Sequence, residues 1–188
     1  MAVKTFITGE VLTASDTNTY LANSGLVYVT SKTLSGSSAQ IDSCFTSTYD
    51  AYRIIFTNLV FSAADSMTLR LVTGTTPDTS ANYYSGRIGV GFAGTVNGAA
   101  NAAVSYWNPN IVGVTVAGGG NLEIFNPKNT AVTSFNSIGG DSRTTGDFYR
   151  AGGGYFNATT AFDGLWISTL SGSNTMTGTA VVYGYRKV

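Results

Sequence analysis

After Gly25 the chain is a succession of short runs rich in Val, Ile, Thr, Tyr and Phe, with a breaker between nearly every two. These runs are Leu26–Thr30, Tyr52–Val60, Met67–Thr73, Arg87–Phe92, Ala103–Trp107, Ile111–Val116, Leu122–Phe125, Val132–Ile138, Asp147–Phe156, Gly164–Ser168 and Thr177–Tyr185. Between them stand Gly74, Pro77, Gly94, Pro109, Gly118-Gly119-Gly120, Pro127, Gly139-Gly140, Gly152-Gly153-Gly154 and Gly172. β-branched and aromatic residues suit a pleated, half-buried surface, and Gly, Asn and Ser supply the turns. In Met67–Thr73 the residues Met67, Leu69 and Leu71 alternate with Thr68, Arg70 and Val72, the period of a strand with one buried face. Short strands spaced by turn signals predict a sandwich or barrel. With roughly eight to ten strands, a jelly-roll-like two-sheet β-sandwich is the natural size match, so the fold class is all-β.

One helix is expected, near the start. Thr13-Ala14-Ser15-Asp16 has the form of a capping box with an acidic third position. Asp16 stands where the helix dipole favours negative charge, and Gly25 supplies the left-handed stop. A helix of about ten residues is too short to be stable alone in water, so it must dock on something. Residues 1–30 therefore read as an anchoring or oligomerisation arm, with Phe6, Val11, Leu12, Tyr20 and Leu21 as its candidate contacts, and residues 31–188 as the β-sandwich domain.

Composition closes off several kinds of chemistry. There is no histidine and a single cysteine, Cys44, so neither a Ser-His-Asp nor a Cys-His nucleophile can be built. Zinc sites of the Cys/His kind are excluded too, and no cofactor is expected. Cys44, beside Phe45 and Ile41, reads as a small buried hydrophobe. The 10 basic and 10 acidic side chains cancel, leaving no excess to neutralise a nucleic acid. Only 11% of residues are charged, a surface suited to being covered by neighbours or to meeting sugars. No run of about 18 apolar residues exists, so no helical membrane span is expected, and the first residues carry no apolar run of signal-peptide length.

Gly89-Val90-Gly91-Phe92-Ala93-Gly94 matches G-x-G-x-x-G, but residues Thr95 to Asn101 show no helical stripe, so a Gly-rich strand end or loop is expected. Asp141 and Asp147 flank a turn containing Arg143, and such carboxylates cap turns or pair with the nearby cation. The aromatics are the better pointer. Tyr83, Tyr84, Trp107 and Tyr155 sit at strand ends among Asn, Ser and Gly, where rings can stack on sugars and donate hydrogen bonds. For Tyr83 and Trp107 the alternative, a place in the core, stays open. Trp166, in Leu165-Trp166-Ile167, is expected in the core.

Three parts of the chain carry a resemblance. Thr5 to Leu21, reading T-F-I-T-G-E-V-L-T-A-S-D-T-N-T-Y-L, resembles the amino-terminal motif of many tailed-bacteriophage virion proteins: an aromatic, G-E/Q-V-L-T-A, an acidic residue, then N-x-Y-L. Phe162 to Leu165 and Met176 to Lys187, ending V-V-Y-G-Y-R-K, are similar to the carboxy-terminal strands of phage tail and fibre-like proteins, and Tyr49 to Asn58 looks like the same group. The resemblance implies a non-enzymatic virion structural protein, assembled in the host cytoplasm. Its partners would be its own copies as a homotrimer, other virion proteins of tail, baseplate or capsid, and host surface glycan. A short tail fibre or appendage is the leading expectation, a capsid decoration protein the second and a polysaccharide depolymerase the third.

Overall fold

The computed structural model describes residues 7–11, 13, 15, 25–91, 93–140 and 147–186. The body of the expected helix lies outside the described residues, as do Phe6, Leu12, Tyr20 and Leu21, and the Asp141–Arg143 turn. Val11 is described and exposed.

The described residues form strands β1 (Leu26–Gly36), β2 (Ser38–Ile41), β3 (Tyr49–Phe61), β4 (Asp65–Thr73), β5 (Thr76–Pro77), β6 (Tyr83–Gly91), β7 (Val96–Val104), β8 (Val112–Gly113), β9 (Gly118–Phe125), β10 (Ser134–Gly140), β11 (Asp147–Phe156), β12 (Gly164–Thr169) and β13 (Met176–Arg186). β1 crosses the boundary drawn at residue 30 and contributes Leu34 to the core. The G-x-G-x-x-G segment ends β6 and turns into β7, with the Gly94 amide donating to the Gly91 carbonyl at 2.9 Å. It is a strand end and a hairpin, as expected.

β1 pairs with β13, β2 with β12, β3 with β9 and β4 with β8, all antiparallel. The four pairings are nested, so the chain is one long antiparallel ribbon folded over on itself, which is the jelly-roll plan. The outcome is two facing sheets. The small one runs β2-β12-β4-β5, with β8 also on β4. The large one runs β1-β13-β3-β9 and is then prolonged by β10-β11-β6-β7.

Between the sheets lies one core. Met67, Leu69 and Leu71 of β4, with Leu165 and Ile167 of β12, meet Ile54, Phe56 and Phe61 of β3 and Leu122 and Ile124 of β9. The alternation read from Met67 to Leu71 is thus the real inward face. In β3 the inward residues are Tyr52, Ile54 and Phe56, then Leu59 and Phe61. The step of three falls at a bulge, where Asn58 has φ 51° and the partner strand places Gly178 at φ 136°. A Cβ on Gly178 would stand 2.9 Å from the carbonyl oxygens of Thr57 and Asn58, so both backbone conformation and space demand glycine there.

The prolongation of the large sheet outruns the small sheet. Its inner face is covered by the segment from Trp107 to Ile111, which is buried throughout. Trp107 exchanges backbone hydrogen bonds with Leu69, at 2.9 and 3.0 Å, and so seals that edge of β4. Asn110 donates to the carbonyls of Ile88 and Ala151, at 2.9 and 3.3 Å, and Ser137 donates to that of Pro109. Room for this segment comes from the middle of β11: a Cβ on Gly152 would lie 2.9 Å from the Pro109 oxygen.

Candidate functional site

The four aromatics singled out by sequence divide into two pairs. Tyr83 and Trp107 are fully buried, which corrects the surface role offered for them. Their rings pack edge to face at 5.4 Å, with Phe135 4.8 Å from Trp107 and Phe156 4.9 Å from Tyr83. Trp107 Nε1 donates to the Tyr155 carbonyl at 3.0 Å. The Tyr83 hydroxyl accepts from the Leu71 amide at 3.0 Å and donates to the Asp78 carbonyl at 3.1 Å. Burial pushes the Tyr83 phenol up, well beyond the ordinary tyrosine range. These groups are satisfied inside the protein and cannot reach a ligand.

Tyr84 and Tyr155 face outward from paired positions on β6 and β11. Their rings stack at 5.0 Å with an interplanar angle of 3°. The next outward positions on the same strands are Gly86 and Gly153, also paired. A row without side chains therefore crosses the sheet beside the stacked phenols, flanked by Ala100 on β7. Ile88, Ala151 and Ile138 border its other side. A Cβ on Gly86 would meet nothing within 4 Å, so packing does not require glycine there.

The rest of that outer face has few charges. On β3, β9 and β10 its charged side chains are Arg53 and Glu123, directly opposite each other. The Tyr185 hydroxyl donates to Glu123, and burial together with that bond raises the phenol above its usual range. Asn121, with its amide turned to satisfy both neighbours, accepts from Arg53 at 2.9 Å and donates to the Ile138 carbonyl at 3.0 Å. Around this small polar island stand exposed apolar and aromatic groups: Tyr28 at 60%, Ile138 at 50% and Ile88 at 46% of full exposure. Tyr28 and Tyr183 meet edge to face at 6.2 Å.

The small sheet has an outer face of a different character. Trp166 is not in the core: Leu165 and Ile167 point inward, and the indole between them points out, half-buried. The apolar run Leu165-Trp166-Ile167 hides that alternation. Trp166 lies between Gln40 on β2 and Arg70 on β4. In the adjacent row Ser168 lies between Ser38 and Thr68, and the hydroxyls of Thr68 and Ser168 are 2.7 Å apart. Ser38, Thr68, Arg70, Trp166 and Ser168 of these rows, with Tyr106, line a groove of about 280 Å³.

Most described carboxylates are committed to the scaffold. Burial works against ionised Asp65, but bonds from Ser171, Asn174 and the Ser66 amide outweigh it and hold the carboxyl below its usual range. Asp163 is lowered by Lys128 and by the Gly74 amide. Asp78 receives the amide and hydroxyl of Ser80. Cys44 is buried, and desolvation pushes its thiol up to about 12. Among the described residues no three Cys, Asp or Glu side chains gather as a metal site would require. Comparison with protein-family models, with curated protein sequences and with solved structures finds no match for this chain.

Proposed function

We propose that this chain is a non-enzymatic structural protein of a bacteriophage virion, a short tail-fibre or tail-appendage subunit that packs against its own copies and contributes to attachment at the host surface. The observation that supports this most is the outer face of the large sheet, with its exposed Tyr, Ile and Val side chains and, on β3, β9 and β10, one opposed pair of charges. Monomeric proteins rarely leave a broad apolar face in water, and a chain of zero net charge meets no repulsion from its copies. The sequence resemblance of the amino-terminal segment adds a means of holding the body on a particle.

The two ends of the large sheet suit two tasks. Tyr28 and Tyr183 belong to the β1-β13 end, where sister copies of a homotrimer would pack. Tyr84 and Tyr155 stand five strands away, about 24 Å at ordinary strand spacing, and offer phenols to surface glycan. Capsid decoration is the second reading, in which the same apolar face lies on capsid subunits.

Quantitative mass spectrometry of purified particles against the major capsid protein separates the two. A few per cent of the capsid copy number fits a tail position, and a ratio near one per capsid subunit, or one trimer per few, fits decoration. Light scattering at micromolar concentration tests self-association; a monomer there would sink the homotrimer. Tyr84→Ala with Tyr155→Ala should reduce host attachment, and unchanged attachment would remove the glycan role from this pair.

A further inference from the structure

We infer that the groove on the outer face of the small sheet binds an acidic sugar residue of a polysaccharide, with the sugar carboxylate on Arg70 and the ring against Trp166 or Tyr106. This site is separate from the Tyr84–Tyr155 face and goes beyond the role proposed there.

The floor spans three strands: Ser38, Ser168 and Thr68 form one transverse row, and Trp166 and Arg70 stand in the next. Short hydroxyls, an indole and a guanidinium in one concavity give what a polyhydroxylated ring needs: close donors and acceptors beside an aromatic surface that loses little entropy on binding. These residues sit on strands of the scaffold rather than on a loop, so their positions are fixed before a ligand arrives. The volume, about 280 Å³, lies just below the range of drug-sized pockets and suits one sugar unit within a chain.

Charge decides the class of sugar. Among the described residues Arg70 is the one charged side chain lining the groove. Its Nε donates to the Ser105 carbonyl at 2.8 Å, which fixes the plane of the guanidinium, and it has no carboxylate partner among the described residues. The acid at the groove's far end, Asp65, is already bound by Ser171, Asn174 and Ser66. A fixed guanidinium without an anion matches a carboxylate. Trp166 Nε1 is a further group short of a partner: it is buried and has no acceptor within the protein. An unpaired buried donor is uncommon.

The test titrates the full chain with methyl β-D-glucuronoside and, separately, with the neutral methyl β-D-glucoside, reading Trp166 fluorescence and saturation-transfer NMR. Trp107 is fully buried, so Trp166 is the indole that a ligand in the groove can touch. The glucuronoside should saturate the signal at least tenfold more tightly than the glucoside, because a hydrogen bond between ionised partners is about twice as strong as a neutral one. Arg70→Gln should remove that preference while leaving the melting temperature within a few degrees. Equal affinity for the two sugars, no saturation by either, or a preference that survives Arg70→Gln overturns the assignment. A short glutamate peptide that binds as tightly as the glucuronoside would show a carboxylate site rather than a sugar site, and also overturns it. If Arg70→Gln fails to fold, the comparison of the two sugars on the unaltered chain still decides. None of these results touches the copy number on the particle, so failure here and failure of the virion role are distinguishable.

Discussion

Replacing Tyr83 by Phe deletes one oxygen, and the surroundings of that oxygen set the cost. The Tyr83 hydroxyl stands where β5 ends and completes the ladder along the edge of β4, taking the Leu71 amide at 3.0 Å and giving its own proton to Asp78 at 3.1 Å. Leu71 is fully buried, so its N–H finds no water once the phenol is gone. Stranding a buried donor costs about 1–3 kcal/mol, and the second bond adds about 0.5–1.5 kcal/mol. The ring packing against Trp107 and Phe156 is kept. Tyr83→Phe should therefore lose about 2–3 kcal/mol. With a urea dependence of about 2 kcal/mol per molar, the unfolding midpoint falls by about 1–1.5 M. The assay is urea denaturation followed by intrinsic fluorescence. A loss below about 0.5 kcal/mol, the usual range for surface changes, would refute the buried role and return Tyr83 to the candidate ligand contacts.

The same geometry fixes other outcomes. Gly154→Ala would drive a methyl into the Tyr84 carbonyl oxygen and set it 2.8 Å from the Phe135 ring, so thermal unfolding should show a loss at or above the ~1–3 kcal/mol typical of overpacking. Gly86→Ala, on the neighbouring strand with open space around it, should be neutral or stabilise by up to about 1 kcal/mol in the same melt. Cys44 should resist a thiol reagent at pH 8 until the protein unfolds, as a stopped-flow labelling assay would record. Because its thiol is raised to about 12 in the folded chain, the native state holds a proton that the unfolded state releases above about pH 8.5–9. Stability should then fall by about 1–2 kcal/mol between about pH 8 and pH 10, and Cys44→Ala should flatten that fall. Asp65 and Asp163 have the opposite sign: lowered in the folded chain, they support it above the ordinary carboxylate range and cease to do so as pH drops through their folded values. Lys128→Met should make the acid unfolding midpoint rise.

The strands are legible in the sequence where one face is polar. Met67, Leu69 and Leu71 announce their side because Thr68 and Arg70 alternate with them. Trp166 reads as core because its neighbours on both sides are apolar, and three apolar residues in a row carry no parity. Tyr83 and Trp107 are undecidable from sequence for a related cause: what buries them is the Trp107–Ile111 segment and the Phe135 and Phe156 rings, contacts between positions tens of residues apart. β7 escapes a sequence reading because its residues, largely Ala, Asn and Gly, carry no strand propensity; pairing with β6 holds them in place. The groove around Arg70 and Trp166 joins three strands that are neighbours only through the nested pairing, so no spacing along the chain could reveal it.

That nesting also sets a clock. β1 leaves the ribosome about 150 residues ahead of its partner β13. At about 5–20 residues per second the wait is on the order of ten seconds. Throughout that interval the β1 edge is an unsatisfied template. Chains growing side by side on one message are then each other's nearest source of a matching strand, so the self-association proposed above would have its first opportunity before any one copy has closed its own sheet.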